Sequence, residues 1–189
     1  MTRNTIFVTR DAKGEVLACK EGLSFWGGVD PDTGVIIDAH HPDFGATLAG
    51  RIVLMPTSRG SCSGSGVLLQ LARSGSAPAA LVFREDEEIL TLGAMIAEKL
   101  FERPVAVLRL EPTVYDRLAM ADMAEITHNA LTFADTSIPL SPPMTEGLIL
   151  SDGDRALLDG KDGPARQIAM EGHCQTNLTS HWLVPNFYE

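Results

Sequence analysis

The sequence predicts an α/β fold with a partly parallel sheet, and three observations carry that prediction. Apolar runs of strand length, 51–55, 79–83 and 104–108, alternate with stretches of helical period at 67–73 and 90–101. Loops of small residues separate them, the longest being 56–66. Two strand-like segments precede any helical period, so strands come first and then alternate with helices.

Taken in order, residues 5–9 and 15–20 read as strands around the turn Asp11-Ala12-Lys13-Gly14. An apolar patch from Leu23 then passes into Asp30-Pro31-Asp32-Thr33-Gly34, where Pro presets φ and Gly supplies a positive φ. Residues 35–38 read as a strand, and His40-His41-Pro42 as a loop. The buried strand at 51–55 leads through the Ser/Gly loop into the helix at 67–73, with Gly75 as its stop. After the strand at 79–83, the acidic run Glu85-Asp86-Glu87-Glu88 reads as a solvated start to the helix at 90–101. A strand at 104–108, a short helix at 115–121 and a last strand at 125–131 complete a compact domain over 1–135.

Composition shifts at 136–147, where Pro139, Pro142 and Pro143 mark a linker, since proline breaks both helix and sheet. Residues 148–189 hold two helix-like pieces, around Asp152–Leu158 and Gly163–Met170, then a tail without clear period.

The 189 residues suffice for one well-buried domain and an appendage. A net charge of -10 without a Lys/Arg cluster argues against nucleic-acid binding. No run reaches the roughly 18 apolar residues of a membrane helix. The N-terminus lacks a long apolar signal region. Cys19, Cys62 and Cys174 are odd in number and far apart, which suggests neither a disulfide framework nor a zinc site and makes a cytoplasmic location the default. Cys19 reads as a small core residue.

The candidate site is Pro56-Thr57-Ser58-Arg59-Gly60-Ser61-Cys62-Ser63-Gly64-Ser65-Gly66. Glycines let backbone approach a ligand closely. Serines can cap the following helix, whose first-turn N–H groups and dipole suit a carboxylate or phosphate. The bland reading is a Ser/Gly helix cap with no ligand. The loop is not a P-loop, because no Lys-Ser/Thr follows Gly at the required interval. No serine in it has glycine two residues away on both sides, as a nucleophile elbow requires. Cys62 does, between Gly60 and Gly64, but the sequence assigns it no base. His40 and His41 read as solvated loop residues, and Asp30 and Asp32 as turn formers.

At these residues the chain resembles a known family. Phe25-Trp26-Gly27-Gly28-Val29-Asp30-Pro31 through Gly34, His41-Pro42, Gly50-Arg51-Ile52 and Arg59-Gly60-Ser61-Cys62-Ser63-Gly64-Ser65 together look like the small, swivelling domain of aconitase X. Residues 150–160 through Met170 are similar to the opening of that family's large catalytic domain, which follows the small one in fused members. The resemblance implies a swivelling β/β/α domain over 1–135, as in the aconitase superfamily, and a truncated start of the large domain, or a disordered tail, over 148–189. It implies a dehydratase component, inactive without an aconitase X large domain or subunit. That partner is expected to carry the iron–sulfur cluster, a Lewis acid toward the leaving hydroxyl. No ligand to the cluster is expected from this chain.

Carried over by the resemblance, Ser61 is the proton-accepting base. Gly64 and Ser65 hold a substrate carboxylate, and Arg59, Gly60, Cys62 and Ser63 complete the substrate-binding set. The implied substrate is a small hydroxy acid, cis-3-hydroxy-L-proline. The alternatives are a phosphomevalonate dehydratase small subunit and a non-catalytic anion-binding or interaction module.

Overall fold

A computed structural model describes residues 4–142. The expectations for residues 143–189, Cys174 among them, concern positions outside the described residues. The N-terminal segment gives β1 (Thr5–Val8) and β2 (Ala12–Ala18), followed by a one-turn segment, α1 (Phe25–Gly28), in which Trp26 and Gly27 leave helical geometry. Then come β3 (Ile52–Met55), α2 (Gly64–Ser74), β4 (Ala80–Phe83), α3 (Ile89–Phe101), β5 (Ala106–Arg109) and α4 (Pro112–Leu118). Three short strands finish the unit: β6 (Met123–Ile126), β7 (Ala130–Phe133) and β8 (Thr136–Pro139).

The strands form one sheet in the order β1-β5-β4-β3-β2-β6-β7-β8. β2, β3, β4 and β5 run parallel, and the remaining pairs are antiparallel. β2 belongs to both halves: Val16–Ala18 pair with β3, while Ala12–Glu15 pair with β6. The sheet curls until the chain beyond β8 meets β1. There the Ile6 N–H donates to Ser141 O at 2.9 Å, and the Ser141 N–H to Asn4 O at 3.0 Å.

Successive strand residues point to opposite faces, and both faces are covered, so β3 and β4 are buried along their whole length. Val53, Met55, Leu81, Phe83 and Val107 face α2 and α3, packing with Leu68, Leu71, Leu90 and Ala94. Ile52, Leu54, Val82, Ala106 and Leu108 face the inside of the curl, against Val114 and Leu118 of α4 and Ile126, Leu131 and Phe133 of the last strands. The central parallel strands are apolar on both sides for this reason.

The α/β class, the helices after β3 and β4 and the glycine stop all agree with the sequence reading. Gly75 has φ +83, and its N–H donates to Leu71 O. Four details differ. No turn occupies Ala12–Gly14, because pairing with β6 draws those residues into β2; a Cβ on Gly14 would sit 2.8 Å from Gly50 O, so that glycine serves close backbone approach. Residues 35–38 make only the isolated bridges Val29–Ile36 and Val35–Thr47. The strand expected at 125–131 is a hairpin of β6 and β7, closed where the Thr127 N–H donates to Ala130 O at 2.8 Å.

The fourth correction concerns the linker set at 136–147. Residues 136–139 are β8, paired with β7 along its length. Pro139, opposite Ala130, ends that strand, a position where a missing N–H is tolerated. Leu140 is buried, and its N–H donates to Asn129 O at 2.8 Å. The compact unit therefore continues through β8 and Leu140.

Candidate functional site

The loop from Pro56 to Ser63 leaves the carboxyl end of β3 and enters α2. In open parallel sheets that is where ligands bind, since strand ends and helix N-termini meet there. A second loop, Cys19 to Ser24, leaves the adjacent β2 and lies alongside. The Arg59 N–H donates to Leu23 O at 3.1 Å, and Arg59 Nη2 pairs with Glu21 Oε2 at 2.8 Å. Gly60 has φ +97, and a Cβ built on it would lie 2.7 Å from Ser24 Oγ. Glycine takes this φ without the strain that a side chain would bring.

A third segment fixes the loop from the other side. Ser58 Oγ donates to Glu87 Oε1 at 2.7 Å. The same carboxylate accepts from the N–H groups of Leu90 (2.8 Å) and Thr91 (2.9 Å), so it satisfies first-turn donors of α3. Glu87 is thus a bridge between two loops. The acidic run, expected as a solvated start to the helix, thus also ties that start to the candidate loop.

Ser61 and Cys62 are exposed at the tip of the loop, with Ser63 half-buried behind them. The Ser63 N–H donates to Ser61 Oγ at 3.3 Å. A donor on that oxygen favours its ionised form. Ser63 is the N-cap of α2 and makes no side-chain capping bond, so the side-chain capping expected of the loop serines is not made there.

The N–H groups of Gly64 and Ser65 do not face outward as donors. They turn back to the carbonyls of Ser61 (3.1 Å) and Cys62 (3.2 Å), and the Ser65 hydroxyl donates to Cys62 O at 2.7 Å. Ser65 is 7% exposed and packed against Gly93 of α3. Among the described residues, nothing accepts from the N–H groups of Gly60, Ser61 and Cys62. The outward donors therefore lie earlier in the turn than the sequence suggested. Tight i→i+3 turns of this kind are frequent at helix N-termini, and composition does not mark which donors they take up.

Cys19 is buried, as expected, and desolvation followed by the charge of Asp43 pushes its thiol up to about 12. Asp30 does turn-forming work: its Oδ1 accepts from the N–H groups of Asp32 and Thr33, both at 2.9 Å, which lowers its pKa. His41 departs from the solvated reading. It is 6% exposed; Nδ1 accepts from the Asp43 N–H at 3.1 Å, and Nε2 is buried without a partner among the described residues. His40 stays exposed.

Among the described residues, no group of three or more His, Cys, Asp or Glu could hold a metal ion. They do not fit an iron–sulfur ligand set. No helix among them is long and apolar enough to cross a membrane.

Comparison with known proteins adds to this geometry. The chain is 44% identical over 170 residues to a cis-3-hydroxy-L-proline dehydratase of Pseudomonas aeruginosa. That match takes in 86% of this chain, more than residues 4–142 can supply, but only 29% of the relative's length. A phosphomevalonate dehydratase small subunit of Methanopyrus kandleri is 39% identical over 120 residues, covering 63% of this chain and 84% of that protein. The crystal structure of Thermococcus kodakaraensis aconitase X, in its holo-form, aligns with a TM-score of 0.57 at 28% identity. It covers 74% of this chain and 97% of that one. The family model for the aconitase X swivel domain matches residues 1–133, and the chain belongs to that family.

Proposed function

We propose that this chain is the swivel-domain part of an aconitase-X-type dehydratase, a hydro-lyase that removes water from a small hydroxy acid. In this reading it presents Ser61 to a site that a large domain or subunit completes. The observation that carries the proposal is the placement of Ser61: exposed, at the carboxyl end of β3, with the Ser63 N–H donating to its Oγ at 3.3 Å. Similarity to dehydratases over most of the chain supports it.

The residues of the chain suggest the following roles. Ser61 Oγ takes the proton from the substrate carbon next to the carboxylate. A serine oxygen does this only if its ionised form is favoured. The Ser63 N–H acts in that direction, and Arg59, two residues away in the loop, brings positive charge to it. Glu21 engages one guanidinium nitrogen of Arg59, and the other donors stay available to a substrate carboxylate. Gly64 and Ser65 hold the turn through their bonds to Ser61 and Cys62. In this reading the iron–sulfur cluster belongs to the large domain or subunit and supplies Lewis-acid chemistry there.

The longer match to the Pseudomonas aeruginosa protein, 86% of this chain against 63% for the Methanopyrus kandleri protein, favours cis-3-hydroxy-L-proline as substrate. A phosphomevalonate dehydratase small subunit is the second reading, favoured by the 84% coverage of the Methanopyrus kandleri protein. Co-expression with the part of the Pseudomonas aeruginosa dehydratase that lies beyond the matched stretch tests the proposal. Dehydration of cis-3-hydroxy-L-proline is expected, and Ser61→Ala is expected to lower kcat by about a hundredfold or more. Full activity in Ser61→Ala, or no complex at all, overturns it. Activity on phosphomevalonate alone, with the matching archaeal large subunit, moves the assignment to the second reading.

A further inference from the structure

Beside the candidate loop, three large apolar side chains stand in the open. Trp26 and Phe44 are each 60% exposed, and Ile37 is 47% exposed. They come from three segments joined by backbone hydrogen bonds. The Ile37 N–H donates to Gly28 O, and the Gly45 N–H to Ile36 O, both at 2.9 Å. Ser24 Oγ donates to Trp26 O at 2.9 Å, and the same Ser24 stands against Gly60. The segments that carry the three side chains thus adjoin the loop that carries Ser61.

The patch is also held in shape. The Phe44 N–H donates to His41 O at 3.0 Å, and His41 is buried with Nδ1 bonded to the Asp43 N–H. Asp43 Oδ2 in turn accepts from the Lys20 N–H at 3.0 Å, in the loop that follows β2. Apolar groups kept in water on a fixed backbone cost the monomer solvation without helping its core. On binding they lose little conformational freedom, which is what a docking surface requires.

Resting on the function proposed above, we propose that Trp26, Ile37 and Phe44 form the docking surface for the large domain or subunit. Two facts single out that occupant. The chain spans only 29% of the Pseudomonas aeruginosa dehydratase it resembles, and another relative is named a small subunit. The patch also borders the loop that such a partner must face for Ser61 to reach a shared substrate. An apolar partner surface seats on the three side chains and leaves the tip of the loop facing the space between.

The test uses the whole chain, co-purified with the remainder of the Pseudomonas aeruginosa dehydratase as a separate chain. The double variant W26S/F44S is expected to weaken the complex by about tenfold or more while keeping the melting temperature of the isolated chain. Ser61→Ala is expected to bind like the wild type and lose only activity. Met120→Ser, at an exposed methionine after α4, is expected to change neither. Unchanged binding by W26S/F44S, with Ser61→Ala still inactive, overturns the docking surface and leaves the proposed function standing. A wild-type homodimer that W26S/F44S abolishes assigns the patch to a second copy and overturns it too. No complex with the wild-type chain overturns both.

Discussion

Ser24 and Gly60 meet where the loops after β2 and β3 run side by side: a Cβ on Gly60 would lie 2.7 Å from Ser24 Oγ. Gly60→Ala meets two obstacles, the contact and the positive φ of +97. A destabilisation of about 1–3 kcal/mol is expected from urea unfolding. Adding Ser24→Ala relieves the contact and leaves the backbone strain, so only part of the loss should return. Full recovery would show that φ carries no cost there.

The Glu87 carboxylate joins Ser58 to the first turn of α3. Glu87→Ala leaves those donors without their acceptor, and a loss of about 1–3 kcal/mol is expected. Hydrogen exchange should quicken at Leu90 and Thr91. Ser58→Ala removes one bond of the set and should cost less than Glu87→Ala in the same urea titration.

A Cβ on Gly93 would lie 3.1 Å from Ser65 Cα and 3.2 Å from Ser65 O. Backbone atoms cannot swing aside as a side-chain tip can. Gly93→Ala is expected to push α3 off α2 and to destabilise by about 1–3 kcal/mol, despite the better helix propensity of alanine. An unchanged or raised melting temperature would contradict the packing described here.

Cys19 and Cys62 should differ in reactivity. Cys62 is exposed, whereas Cys19 is buried with its thiol pushed up to about 12. Peptide mapping after brief alkylation of the native chain should find Cys62 modified and Cys19 intact. The pH dependence has a definite sign. Between the ordinary value of 9.0 and about 12, the unfolded chain releases the Cys19 proton and the folded chain keeps it. Stability is therefore lost as pH rises through that window, and Cys19→Ala should flatten this part of the curve.

Asp30 works in the opposite direction. Two backbone N–H groups hold its carboxylate below the ordinary value of 3.8. Its contribution is present above the ordinary carboxylate range and is lost as pH falls through the lowered folded value. Asp30→Asn keeps an oxygen acceptor for the turn and should remove that acid dependence, measured as melting temperature against pH. The same slope in Asp30→Asn would assign the dependence to another group.

The parallel strands and their helices were legible because they are local patterns. Ile52–Met55, Ala80–Phe83 and Ala106–Arg109 are runs of strand length, and an apolar stripe of helical period follows each of the first two. The candidate loop was legible for the same reason, as small residues between a strand and a helix. The last strands were not. Ala12–Glu15 and Met123–Ile126 are each ambiguous alone and become strands by pairing across more than a hundred residues. Thr136–Pro139 looks like a linker by composition and is a strand by partnership.

The sequence by itself therefore determined the α/β class, the strand–loop–helix unit and the family resemblance that points to Ser61. Only the tertiary structure decided which groups that loop presents. It turned the Gly64 and Ser65 donors inward, placed the Ser63 N–H on Ser61 Oγ and set Glu21, Ser24 and Glu87 around the loop. The physical reason is range. Helix period and turn chemistry act over a few residues, whereas Glu21, Ser24 and Glu87 reach the loop from segments some thirty residues away on either side; the Ser63, Gly64 and Ser65 bonds are local, and composition alone does not say which donors they use.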